Sequence, residues 1–240
     1  MVQKLDVLLL AAHPDDVELG AAGTVLKLTD MGKAVGIVDL TAGDLGSRGT
    51  PELRLEESAA AAQLMGLAAR ENLHFRDGFF THDEAHLKAV IRMIRRFQPE
   101  VLICNAPEDR HSDHGKGSKL VRDAAFLSGL AKIETEWEGQ AQQHWRPKRT
   151  FFYIQDYNLQ PDFVVDITPY FERKMEVIKA FRSQFYDPSG EGPQTYISSS
   201  EFWDWLAARA SNMGHIVGVK YGEGFISETA LKVETPLDLL

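Results

Sequence analysis

The sequence predicts a single α/β domain with a mostly parallel sheet, and three observations predict it. Short apolar runs alternate with longer runs of helical period through the first half of the chain. The apolar runs are continuous, as strands buried on both faces require. The segments richest in His, Asp and Gly follow those runs directly, at the edge where parallel sheets bind ligands.

The elements follow in order. Residues 5–12 (LDVLLLAA) read as a buried strand, and 17–32 as a helix stopped at Gly32. Residues 34–41 form a second strand. The helix 51–70 has Thr50 as N-cap and Pro51 in its first turn. A short strand spans 72–75. The run Thr81-His82-Asp83-Glu84 predicts a capping box before a helix over 84–97. A strand at 100–106 and a helix at 112–130 complete the core βα units, 1–135. The remainder, 136–240, is less regular: a polar loop at 139–149, strands at 150–157 and 162–167, and a helix at 169–185. A turn-rich loop follows at 186–200, then a helix at 201–214 and a late strand at 220–227. The aromatic residues of 202–205 are expected in packing or at an oligomer interface. The expectation is one Rossmann-like domain over 1–240, helices on both sheet faces, with a C-terminal elaboration of strands, helices and site-covering loops.

Composition narrows the function. The 240 residues carry a formal net charge of −9, which excludes a broad phosphate-neutralising surface, so no nucleic-acid partner is expected. No apolar run reaches the roughly 18 residues of a membrane span. The N-terminal apolar run passes straight into charged residues and reads as a strand, not a leader, so a cytoplasmic location is expected. Cys104 is the single cysteine; an intrachain disulfide is impossible, and a buried inert thiol is expected.

The unusual polar residues all fall after strands. His13, Asp15 and Asp16 follow the first, 43–50 (GDLGSRGT) the second, 76–80 (RDGFF) the third, and 107–115 (PEDRHSDHG) the fourth. Adjacent carboxylates resist burial without a positive neighbour. A divalent metal supplies one: His13, Asp16 and His114 make the two-imidazole, one-carboxylate set of a catalytic zinc site with a place left for water. Asp15 then stands free beside the metal-bound water as a general base. The competing explanation makes Asp15 or Asp16 a helix cap behind Pro14. Tyr196 lies in a loop that could cover the cleft as a substrate contact.

The combination of residues 12–24 (AHPDDVELGAAGT), Arg54–Glu57, and 110–115 (RHSDHG) resembles the LmbE-like, or PIG-L, family of zinc-dependent N-acetylglucosaminyl deacetylases. The segments 181–185 (FRSQF) and 221–225 (YGEGF) add to the resemblance, which is nearest to the N-acetylglucosaminyl malate deacetylases of bacillithiol biosynthesis. It implies one Zn2+ per chain, replaceable by iron or cobalt, held by His13, Asp16 and His114, with Asp15 as base. It implies His111, paired with Asp113, as an imidazolium near the developing oxyanion. It implies Arg54 and Arg110 as contacts to a substrate carboxylate or sugar hydroxyl, an amino-sugar substrate, and a homo-oligomer. Chitooligosaccharides or another N-acetylglucosamine conjugate remain alternative substrates, and a non-catalytic metal- or sugar-binding protein is the rival class. The chain lacks the phosphate-binding glycine patterns of nucleotide sites and the Gly-x-Ser-x-Gly elbow of serine hydrolases.

Overall fold

The computed structural model describes residues 3–185 and 192–239. Five strands run parallel: β1 (Val7–Ala11), β2 (Val35–Thr41), β3 (Ala69–Phe75), β4 (Val101–Asn105) and β7 (Arg149–Tyr153). A short hairpin with two residues in each strand, β5 (Glu136–Trp137) and β6 (Gln140–Ala141), starts before the expected polar loop 139–149 and ends within it. β9 (Gly222–Ser227) pairs antiparallel with β7, and β8 (Phe163–Asp166) pairs antiparallel with β9. The seven-stranded order is β3-β2-β1-β4-β7-β9-β8. The chain winds outward from β1 to β3, then returns to place β4 on the other side of β1. That reversal opens a crevice at the carboxyl ends of β1 and β4.

The apolar strands bury both faces. Val7, Leu9 and Ala11 pack under α1 (Asp16–Asp30), α2 (Pro51–Met65) and α5 (Phe171–Ile178), with Phe202 and Leu206 of α6 (Ser200–Ile216). Leu8 and Leu10 face α3 (Glu84–Phe97) and α4 (Ser112–Leu127). The 202–205 aromatics pack as expected: Phe202 is buried, and Trp203 and Trp205 lie against the core. α1 lies close on the sheet because Gly20 and Gly23 offer no Cβ; one at Gly20 would run into the Tyr153 ring, and one at Gly23 into Ile167.

Several boundaries differ from expectation, among them the strand expected over 150–157, which ends at Tyr153. The second helix ends at Met65 because Gly66 turns left-handed at φ 66°, so Ala69 and Arg70 belong to β3. The predicted cap of α3 moves from Thr81 to Asp83, whose carboxylate accepts from the His86 N–H. The long helix predicted over 169–185 shortens to α5, preceded by a 3-10 turn at Thr168–Tyr170. Of the expected loop 186–200, residues 186–191 lie outside the described residues, and Tyr196–Ser198 form a 3-10 turn. No helix among the described residues is long and apolar enough to cross a membrane. Cys104 is buried, and burial pushes its thiol far above the usual range.

Candidate metal centre and active-site cleft

The turn after β1 separates the two neighbouring carboxylates. Asp15 adopts a left-handed conformation, φ 106° and ψ −20°, uncommon for a residue with a Cβ although aspartate tolerates it. Its Oδ2 accepts from Arg54 Nη2 at 3.0 Å, and the same guanidinium donates to the Pro14 carbonyl. Asp15 makes no capping bond to α1, so helix capping does not account for it. Asp16 turns the other way. Its Oδ2 accepts from the His13 N–H (3.0 Å) and Asn105 Nδ2 (3.1 Å), and its Oδ1 from Gln155 Nε2 (2.8 Å).

Two imidazoles converge on Asp16. His13 Nδ1 lies 3.6 Å from Oδ2, and His114 Nε2 3.1 Å from Oδ1. Each ring engages a second carboxylate with its other nitrogen: His13 Nε2 with Asp77 (3.0 Å), His114 Nδ1 with Asp109 (2.7 Å). Metal-ligating histidines are held in this way, one nitrogen on an outer carboxylate and one on the ion. The donor set fits a divalent transition metal with a preference for nitrogen and oxygen. Two groupings have donor atoms that all lie within 4.8 Å of one another, His13 with His111 and His114, and His13 with Asp77 and Asp113; the expected set of His13, Asp16 and His114 is not one of them. In the second, Asp113 is already engaged by the Gly78 N–H and Lys116 Nζ, both at 2.7 Å.

Burial disfavours a charged His13, yet Asp113, Asp16 and Asp77 outweigh it and hold its pKa well above the ordinary value. Burial likewise opposes charge on His114, but Asp16 and Asp109 raise its pKa to about 9. Asp16 overcomes burial through His114 and His13 and stays well below the carboxylate range. Asp15 behaves oppositely: burial pushes it up to about 7, with Arg54 pulling against it and Asp16 adding to the rise. The carboxylates around His13 and His114 therefore favour positive charge at the centre of the pocket.

Comparison with known proteins places this arrangement. The PIG-L family, described as GlcNAc-PI de-N-acetylase, matches residues 8–125, a span holding all of His13, Asp15, Asp16, His111, Asp113 and His114. The chain belongs to the PIG-L, or LmbE-like, deacetylase family. The solved structure of a conserved protein from Thermus thermophilus superposes with a TM-score of 0.84 and 34% identity, covering 96% of this chain and 98% of that one. Diacetylchitobiose deacetylase of Thermococcus kodakarensis is 27% identical over 230 residues, 91% of this chain and 81% of that protein. A protein of Bacillus cereus named probable N-acetyl-α-D-glucosaminyl L-malate deacetylase 2 is 28% identical over 195 residues, 74% and 83% of the two chains.

Around the PIG-L centre, the expected pairing of His111 with Asp113 takes another form. His111 caps α4, its Nδ1 accepting the backbone N–H of Asp113 at 3.2 Å, while the Asp113 carboxylate is drawn to Gly78 and Lys116. An acceptor Nδ1 leaves the ring proton on Nε2. Burial, then His13 and His114, lower the His111 pKa.

The expected substrate arginines are also engaged. Arg54 is buried and clamps Asp15. Arg110 stands at the rim, its Nε 2.9 Å from Asp156 Oδ2 and its guanidinium 4.3 Å from the Tyr196 ring. Tyr196 thus reaches the rim, and its neighbour Ile197 lines the cleft of about 440 Å³. His215 is exposed near the end of α6, outside the cleft. Sequence reading did not single out Asp77, Asp109, Asn105 or Gln155, which hold the imidazoles and Asp16. The only signal for them was position: each follows or ends a strand at the carboxyl edge.

Proposed function

We propose that this deacetylase removes the acetyl group from the 2-amino nitrogen of an N-acetylglucosamine derivative, using a divalent metal, zinc first, held by His13, Asp16 and His114. The observation that carries this reading is the division of labour between neighbours. Asp16 faces the two imidazoles, while Asp15 is turned away from them by its left-handed backbone and fixed by Arg54. A site that only bound metal has no use for a second, separately clamped carboxylate.

When bound, the metal supplies Lewis acidity to the acetamide carbonyl and the attacking water. Asp15 takes the proton from that water and returns it to the departing amine, so that water and amide give acetate and a free amino sugar. His111, with its proton on Nε2, donates toward the developing oxyanion. Asp77 and Asp109 hold the imidazoles in the required tautomers. The finer reading, with a malate aglycone, comes from the sequence resemblance; the two arginines offered there to a substrate carboxylate, Arg54 and Arg110, are each paired with a carboxylate of the protein.

The test follows acetate release from N-acetylglucosamine, N,N′-diacetylchitobiose and N-acetylglucosaminyl malate. Zinc-loaded, metal-stripped and Asp15→Asn proteins are compared, with metal content measured on each. Release by the zinc-loaded protein alone supports the reading. Zinc-loaded protein that releases no acetate from any of the three overturns it.

A further inference from the structure

The cleft has a built lip. Leu45 and Phe79 line it and are 57% and 61% exposed. Their backbones are nonetheless tied down. The Leu45 N–H donates to Asp77 Oδ2 at 3.0 Å, and the Asp77 N–H to Asp44 Oδ1 at 3.2 Å. Gly78, between Asp77 and Phe79, gives its N–H to Asp113 and takes Lys116 Nζ on its carbonyl at 3.0 Å. Arg76 packs over the Phe79 ring, 4.6 Å from its centre, without lining the cleft. Two large apolar side chains on a hydrogen-bonded backbone, left bare at the mouth of a polar cleft, form a contact surface.

The charge of the lining says what kind of group that surface takes. Asp15, Asp16 and Asp77 line the cleft with His13, His111 and His114 and with two arginines, Arg54 and Arg110. Each arginine is already paired, with Asp15 and with Asp156. Tyr196 Oη also points to Asp156, at 3.4 Å from Oδ1. With the carboxylates of the centre balanced by the imidazoles and the proposed metal, an anionic group at this lip must displace Asp156 to gain a guanidinium. A neutral sugar ring meets no such cost: its C–H face packs on Phe79 and Leu45, and its hydroxyls find Arg110 and Asp156 at the rim.

We infer that Leu45 and Phe79, with the Arg110–Asp156 pair, form the subsite for the group attached to the acetamido sugar, and that this subsite selects a neutral pyranose over an anion. The inference rests on the deacetylase reading, whose failure has its own outcome below. The experiment compares kcat/KM of the zinc-loaded full chain on N,N′-diacetylchitobiose, N-acetylglucosaminyl malate and free N-acetylglucosamine, for wild type, Phe79→Ala, Phe79→Tyr and Asp156→Asn.

Wild type is expected to prefer the disaccharide to the malate conjugate by about tenfold or more. Phe79→Ala is expected to lower kcat/KM on the disaccharide about tenfold, through KM, and at least fivefold more than on the monosaccharide. Phe79→Tyr, which keeps the ring, restores it. Asp156→Asn, by freeing Arg110, is expected to raise the malate conjugate's kcat/KM about two- to fivefold relative to the disaccharide's. Wild type that prefers the malate conjugate, or Phe79→Ala that slows both sugars equally, overturns the inference and leaves the deacetylase reading standing. No acetate from any substrate removes both.

Discussion

Gln155, just past the end of β7, donates its side-chain amide to Asp16 Oδ1 at 2.8 Å, and Asn105, the last residue of β4, donates to Oδ2 at 3.1 Å. The two amides also touch, Asn105 Nδ2 lying 3.3 Å from Gln155 Oε1, and Asn105 Oδ1 receives the Ala12 N–H at 2.9 Å. The Asp16 carboxylate is therefore fixed in plane by the ends of two neighbouring strands before any ion arrives. Outer partners of this kind set metal affinity. Gln155→Met removes one donor at nearly constant volume, and should weaken zinc binding by about 10- to 100-fold in titrations against a competing chelator. Affinity equal to wild type would mean that the amide contributes nothing to the centre.

Asp15 is predicted to act in turnover and not in metal retention. Asp15→Asn keeps the size of the side chain and a group for Arg54 to contact. It should lower kcat by about 10²- to 10⁴-fold, the range for a lost general base, with zinc content at wild-type level. Loss of zinc along with rate would place Asp15 among the ligands.

Arg54 separates two roles. As the clamp on a buried carboxylate, its loss leaves Asp15 without that cation, to be buried charged or to take up a proton, both side chains being under 8% exposed. Breaking such a pair costs about 3 kcal/mol. Arg54→Met should show that loss in urea unfolding, and should depress kcat with KM within about threefold of wild type. A KM that rises while kcat holds would restore the substrate contact that the sequence suggested.

The sequence made the site's centre legible and left its supports hidden, for a physical reason. His13, Asp15, Asp16, His111, Asp113 and His114 sit in two short runs, each at a strand end, and topology alone brings those ends together. Asp77, Asp109, Asn105 and Gln155 are single polar residues in unremarkable surroundings, and their roles exist only across distances of 5 to 139 residues. The left-handed turn that parts Asp15 from Asp16 has no signal in residue type. The same limit explains Arg70, read as the end of a helix because the alanine-rich run before it favours one. After Gly66 breaks the helix, Arg70 enters β3 and bonds Asp39 and Glu18, buried charges that no local pattern could have paired with it.

The landmark at 221–225 acquires a structural explanation that can be measured. Glu223, on β9, is buried with Lys174 of α5. Its Oε1 accepts from Lys174 Nζ (2.7 Å) and the Gly23 N–H (2.9 Å), and its Oε2 from the Thr24 N–H (2.7 Å) and Thr24 Oγ1 (2.6 Å). Lys174 Nζ also reaches the Leu19 carbonyl at 2.8 Å. One carboxylate thus joins the antiparallel end of the sheet to the helix that begins with Asp16. Lys174→Met removes the cation but leaves three donors on Glu223, and should cost about 3 kcal/mol. Glu223→Met strands the ammonium and two backbone N–H groups together, and should cost more, about 4–5 kcal/mol. The double variant should fall short of the sum, because neither partner is left charged and alone. Urea unfolding of metal-stripped protein checks this without a contribution from zinc binding. Additive single effects would mean that the two residues stabilise the fold independently and that Glu223 is held by α1 alone.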